Sequence, residues 1–106
     1  MVYPVALSHT AQMQLRHLAP DIKRQVRAGL RVLGINPRLG KPLEDKWAGF
    51  WRYRAHRYRI IYRMKPEQQV DVVLIAHRRD VYEISADAIR LLEHRARYTA
   101  VPKATS

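Results

Sequence analysis

Cysteine is absent from the 106 residues, which excludes a disulfide scaffold, a thiolate nucleophile and any Cys-containing zinc site. Stability must come from packing alone. Acids are scarce: 9 Asp and Glu against 20 Lys and Arg leave a formal net charge of +11. A surface of that sign repels itself and attracts polyanions such as nucleic acid or an acidic protein. No stretch approaches the length of apolar chain that a transmembrane helix needs, and the opening Met-Val-Tyr-Pro-Val has neither the basic nor the long apolar region of a secretory signal. The expected location is cytoplasmic, with no membrane association. No internal repeat is visible.

What is present is an apolar fraction of 47% arranged in periodic blocks, enough for one core and too little chain for two ordinary domains. A single domain is expected over residues 1–97, with 98–106 as a flexible tail. Fifteen of the cations are arginine and five lysine, a bias that favours bidentate recognition of phosphate or carboxylate over point-charge attraction.

The run Tyr3-Pro4-Val5-Ala6-Leu7 reads as a strand whose proline suits its start or a sheet edge. Ser8 and Thr10 offer N-cap oxygens to a helix over residues 10–18, with Ala11, Leu15 and Leu18 on one stripe. Pro20 and Asp21 open a second helix, buried along Ile22, Val26, Leu30 and Leu33, and Gly34 with Asn36-Pro37 stops it. Residues 36–49 are rich in turn formers and read as a long connection. From Phe50 to Arg63 the pattern alternates. Trp51, Tyr53 and Ala55 fall on one face and Arg52, Arg54 and His56 on the other, with a tight hairpin around Ala55 to Arg57. Val70 to Ala76 is the expected central strand, buried on both faces. Ser85 can cap a last helix carrying Ala88, Ile89, Leu91 and Leu92.

Arg52, Arg54, Arg57, Arg59 and Arg63 crowd one acid-free stretch, and Arg78 with Arg79 follow the next strand. Antiparallel pairing can bring Arg52, Arg54 and Arg59 onto one phosphate. The bland alternative is a solvated basic face, or pairing with acids of a partner chain. His9, His17, His56, His77 and His94 show no ligand-like spacing with each other or with carboxylates, so neither metal nor other cofactor is expected.

Three segments in order, Trp51-Arg52-Tyr53-Arg54, Tyr58-Arg59-Ile60-Ile61-Tyr62 and Ile75-Ala76-His77-Arg78-Arg79-Asp80-Val81-Tyr82, resemble the signature of RelE-type toxins of the RelE/ParE superfamily. The opening strand, the two helices and the Asn36-Pro37 to Leu43 loop extend the resemblance over residues 1–83. It implies an α+β fold of order β-α-α-β-β-β with a variable C-terminal helix, two N-terminal helices packing on one face of a small antiparallel sheet.

RelE-type toxins of type II toxin-antitoxin systems cut messenger RNA in the ribosomal A site without a metal. Carried over by position, the resemblance implies Arg52, Arg54, Arg59, Arg78 and Tyr82 as catalytic residues. Arg57, Arg63 and Arg79 are further phosphate-binding candidates. The ribose 2′-hydroxyl attacks the adjacent phosphate, so the reaction needs cations for the phosphate oxygens, a base and an acid. Guanidinium supplies the first and keeps its proton, which leaves Tyr82, then His77, as proton carriers. Some RelE-type enzymes have lysine where this chain has Arg52 and Arg54. The resemblance also implies a cognate antitoxin. Two other functions fit the same residues: a ParE-like inhibitor of DNA gyrase without nuclease activity, and a non-catalytic RNA-binding module.

Overall fold

In the computed structural model, which describes residues 2–66, 68–79 and 99–100, the chain enters strand β1 (Val5–Leu7) directly after Pro4. Ser8 then starts helix α1 (His9–Arg16): its hydroxyl accepts from the Ala11 amide at 3.0 Å and donates to the Val73 carbonyl at 2.7 Å. The cap is thus also a tie to the sheet. Helix α2 (Pro20–Ile35) begins with Pro20 and has Asp21 in its first turn, where a missing amide and a negative charge are both favourable. It buries Val26, Leu30 and Leu33 as expected, with Ile22 only partly covered. Gly34 does not stop this helix. It lies buried inside it, where an added Cβ would stand 3.1 Å from the Tyr3 carbonyl oxygen, and the helix ends at Asn36 ahead of Pro37.

A 3₁₀ turn (Pro37–Leu39) leads into the two-residue strand β2 (Lys41–Pro42), and a second such turn (Asp45–Trp47) precedes β3 (Trp51–Ala55). Strand β4 (Tyr58–Lys65) follows after a two-residue turn in which His56 takes a φ of 58°. Then comes β5 (Gln69–His77), and finally β6 (Thr99–Ala100). The sheet order is β2-β3-β4-β5-β1-β6.

Three features differ from the sequence expectation. The sheet is mixed, because β1 pairs parallel with β5 while the β2 to β5 neighbours are antiparallel; the chain between β1 and β5 is long enough for the crossover that parallel neighbours need. Strand β1 is flanked on both sides, since Thr99–Ala100, within the expected tail, pair antiparallel with it. Pro4 is tolerated there because it lies before the strand and serves as an acceptor, taking the Val70 amide at 2.8 Å. Last, β2 arises in the expected loop. The expected C-terminal helix lies outside the described residues.

The central strand is β5, buried from Val70 to Ala76 as the β-branched run predicts. Its register with β4 slips by one at Val73, since Ile61 faces Leu74 and Tyr62 faces Val72. This bulge puts Val73 and Leu74 together in a cluster with Phe50, Ile61 and Ala76, on the face away from the helices. The helix-side core contains Leu7, Ala11, Leu15, Val26, Leu30, Leu33, Ile60, Tyr62, Val72 and Ile75. Beyond Leu7, where β1 ends, side chains of the α1 segment finish the β5 edge: Ser8 takes the Val73 carbonyl, and Gln14 Oε1 accepts the Ile75 amide at 2.8 Å.

Candidate functional site

Alternation along β3 and β4 sorts the basic segment by face. Tyr53 and Tyr58 pack toward the helix-side core, so Arg52, Arg54 and Arg59 share the opposite face. Arg54 and Arg59 are direct cross-strand partners, which places their Cβ atoms about 4.5–5.5 Å apart. Two like charges so placed repel, by about 0.7 kcal/mol at roughly 6 Å in water and more where solvent is excluded. Arg54 Nε reaches the His56 carbonyl at 3.4 Å, and an Arg59 nitrogen has the Tyr58 carbonyl at 3.5 Å among its contacts. A contact as long as that of Arg54 holds its guanidinium weakly and leaves it able to turn toward a ligand.

The three arginines line one cleft of about 270 Å³, closed on its far side by Leu39, Gly40 and Lys41. No carboxylate is among its described lining residues. The wall is fastened by Tyr62, whose buried hydroxyl donates to the Pro37 carbonyl at 2.5 Å and accepts the Gly40 amide at 3.2 Å. Burial pushes the Tyr62 phenol up to about 12, against a lowering by the Gly40 amide bond. Its proton is committed to Pro37, so Tyr62 is not a base for chemistry in the cleft.

The other expected site residues divide. Arg78 stands at the end of β5, where its amide donates to the Arg57 carbonyl at 2.8 Å. Both are exposed beside the β3–β4 turn, near the cleft but outside its lining. Arg79 is exposed too, and its amide donates to His77 Nδ1 at 3.2 Å. The His77 ring packs edge-on against Tyr58, with centroids 5.4 Å apart, beside Gln14 and His17 of the α1 region. That is the helix side of the sheet, so the structure separates His77 from the cleft arginines. Arg63 lies farther along β4, opposite the fully buried Asp71. The Asp71 carboxylate accepts from Gln69 Nε2 at 2.6 Å and has Lys65 Nζ at 3.2 Å, close enough for an ion pair but out of line for a hydrogen bond. A carboxylate in that neighbourhood distinguishes it from the cleft. Tyr82 lies outside the described residues. Lys41, read in the sequence only as part of a turn, joins the cleft through its pairing with Arg52.

The cleft can bind an anion at several oxygens at once, the geometry that forked guanidinium donors suit. The family model for the ParE toxin of type II toxin-antitoxin systems, parDE, matches residues 5–82, from β1 past the end of β5. The chain belongs to the RelE/ParE toxin superfamily. It is similar to toxin RelG of Mycobacterium tuberculosis, 36% identical over 85 residues that span 77% of this chain and 98% of RelG. Among solved structures, it resembles a chain of the toxin-antitoxin complex RelBE2 from Mycobacterium tuberculosis, with a TM-score of 0.68, 32% identity, and coverage of 73% of this chain and 92% of that one. A doubly substituted E. coli toxin RelE in the free state superimposes with a TM-score of 0.65, covering 82% of this chain and 97% of that one, and at 20% identity shares the fold. This RelE/ParE chain is accordingly a toxin of a type II toxin-antitoxin system, with its arginine cleft on the face of the sheet opposite the two helices.

Proposed function

We propose that this toxin is a ribosome-dependent endoribonuclease that cuts messenger RNA and so stops translation. The observation that carries the reading is the meeting of Arg52, Arg54 and Arg59 in one cleft whose described lining has no carboxylate. In the proposed reaction a ribose 2′-oxygen attacks the adjacent phosphorus, its proton passes to a base, and the bond to the 5′-oxygen breaks as that oxygen takes a proton. The products are a 2′,3′-cyclic phosphate and a 5′-hydroxyl. Guanidinium groups of Arg52, Arg54 and Arg59, with Arg78 closing from the end of β5, stabilise the charge that gathers on the phosphate oxygens; each such donor is worth about 10²–10³ in rate. No metal is assigned a role. Tyr82 is the proposed proton carrier, and Arg57 and Arg79 hold flanking phosphates.

The cognate antitoxin proposed as partner is favoured by the likeness to a toxin chain determined in complex with its antitoxin. A free +11 surface suits an acidic partner, since complementary charge speeds and orients association. Acting on ribosomes places the toxin in the cytoplasm; among the described residues no helix is long and apolar enough to cross a membrane.

The match to a ParE family model favours a second reading, inhibition of DNA gyrase by protein contact without RNA chemistry. Mapping message ends on translating ribosomes decides between them. The nuclease reading expects new 5′-hydroxyl ends with the wild-type chain and their loss in Arg59→Ala and Arg78→Ala. Intact messages together with blocked gyrase supercoiling would establish the other reading.

A further inference from the structure

We propose that Lys41 is a fourth phosphate-gripping residue of the cleft, and that Tyr62 is the positioning residue that holds it there. The inference rests on reading the cleft as a phosphate site and extends it to a segment that otherwise looks like a connecting loop.

Lys41 is the direct partner of Arg52 across the β2–β3 ladder. Residues directly opposite in a ladder project from the same face, so Lys41 shares the face of Arg52, Arg54 and Arg59, and it lines their cleft. The four cations form two cross-strand pairs, Lys41 with Arg52 and Arg54 with Arg59. Along β3 the pairs are two residues, about 6.8 Å, apart. That separation is of the order of one step along an extended nucleotide backbone. Arg52, Arg54 and Arg59 serve the phosphate that is cut, and Lys41, one strand farther out, grips its neighbour.

A two-residue strand at a sheet edge does not hold its place by ladder bonds alone. Here the segment is pinned on both sides of Lys41. Tyr62 takes hold before it, through the Pro37 carbonyl and the Gly40 amide, and the Leu43 amide donates to the Phe50 carbonyl at 2.9 Å after it. Gly40 permits this closeness. Its φ of −75° is open to any residue, yet an added Cβ would overlap the Tyr62 hydroxyl and stand 2.7 Å from the Arg52 carbonyl oxygen. The glycine is required by close approach of the loop to β3 and β4, and that approach carries Lys41 into the cleft.

The test is the salt dependence of binding between the full chain and a short single-stranded oligoribonucleotide, followed by fluorescence anisotropy. Each lost phosphate contact lowers the slope of log K against log salt by about 0.7 for a single strand. Lys41→Gln is expected to lower the slope by that amount, while Arg31→Gln, on the exposed face of α2, leaves it unchanged. Tyr62→Phe keeps the ring, lowers the slope in the same direction, and causes no further loss when combined with Lys41→Gln. Should Tyr62→Phe fail to fold, Gly40→Ala displaces the same wall and carries the same expectation. A purely structural Tyr62 would lower the melting temperature and leave the slope of the folded protein intact. Wild-type slope in Lys41→Gln, or no measurable binding by the wild type, overturns the proposal. An added loss in the double variant overturns the positioning role. Lys41-dependent binding by a chain that leaves messages uncut on ribosomes would instead refute the nuclease reading and retain Lys41.

Discussion

Arg54 and Arg59 face each other directly across the β3–β4 ladder. Directly opposed like charges are destabilising in sheets, and the proposed phosphate ligand would relieve that repulsion. Replacing Arg54 by glutamine should stabilise the unliganded chain by about 0.2–1 kcal/mol in urea denaturation. The same variant should lose cleavage, the trade expected when stability is sacrificed at a site.

Tyr62 gives an alkaline prediction. Burial raises its folded value from the ordinary 10.0 to about 12, so the native state keeps this proton at pH values where the unfolded chain releases it. The contribution is complete below pH 10 and is lost as pH rises from 10 to about 12, amounting to roughly 2–3 kcal/mol over the whole window. Comparing denaturation of wild type and Tyr62→Phe at pH 9 and pH 11.5 should show the wild type losing this increment and the variant not. At pH 9 the variant should already be weaker by about 1–3 kcal/mol, because the Pro37 carbonyl loses its donor.

The fold and the site were legible in the sequence to different depths. The stripes Ala11–Leu15 and Val26–Leu30–Leu33, and the buried run from Val70 to Ala76, carry their own periodicity, so helices and central strand could be placed before any coordinates. Arg52, Arg54 and Arg59 were legible as one face because strand alternation fixes side-chain direction locally. The Tyr62 clamp was not, since a hydroxyl reaching a carbonyl 25 residues away leaves no local pattern. Lys41 and Gly40 were hidden for the same reason: Gly-Lys-Pro looks like a turn, and its place in the cleft follows from pairing with Arg52. His77 lies on the helix side, against Tyr58, because adjacency to Arg78 along the chain does not survive the pleat. The parallel insertion of β1 beside β5 also escaped, as local pattern says nothing about which distant strand is a neighbour.

Ser8 joins two elements through one oxygen, capping α1 and donating to the bulge at Val73, and it is 1% exposed. Ser8→Ala leaves the Ala11 amide and a buried carbonyl without partners. A loss of about 2 kcal/mol or more is expected by urea denaturation. Because the cleft lies on β3 and β4, oligoribonucleotide affinity of the folded variant should stay at the wild-type level. A variant as stable as wild type would show that water or backbone adjustment replaces both bonds.

The claim on which the rest depends is that the opposed arginines act on one phosphate. Single-turnover cleavage of a message on programmed ribosomes by Arg54→Gln, Arg59→Gln and the double variant tests it most directly. A shared phosphate predicts that each single change slows cleavage about 10²-fold or more, with the double falling well short of the product of the two effects. Multiplying effects, or cleavage at the wild-type rate in either single variant, would contradict it.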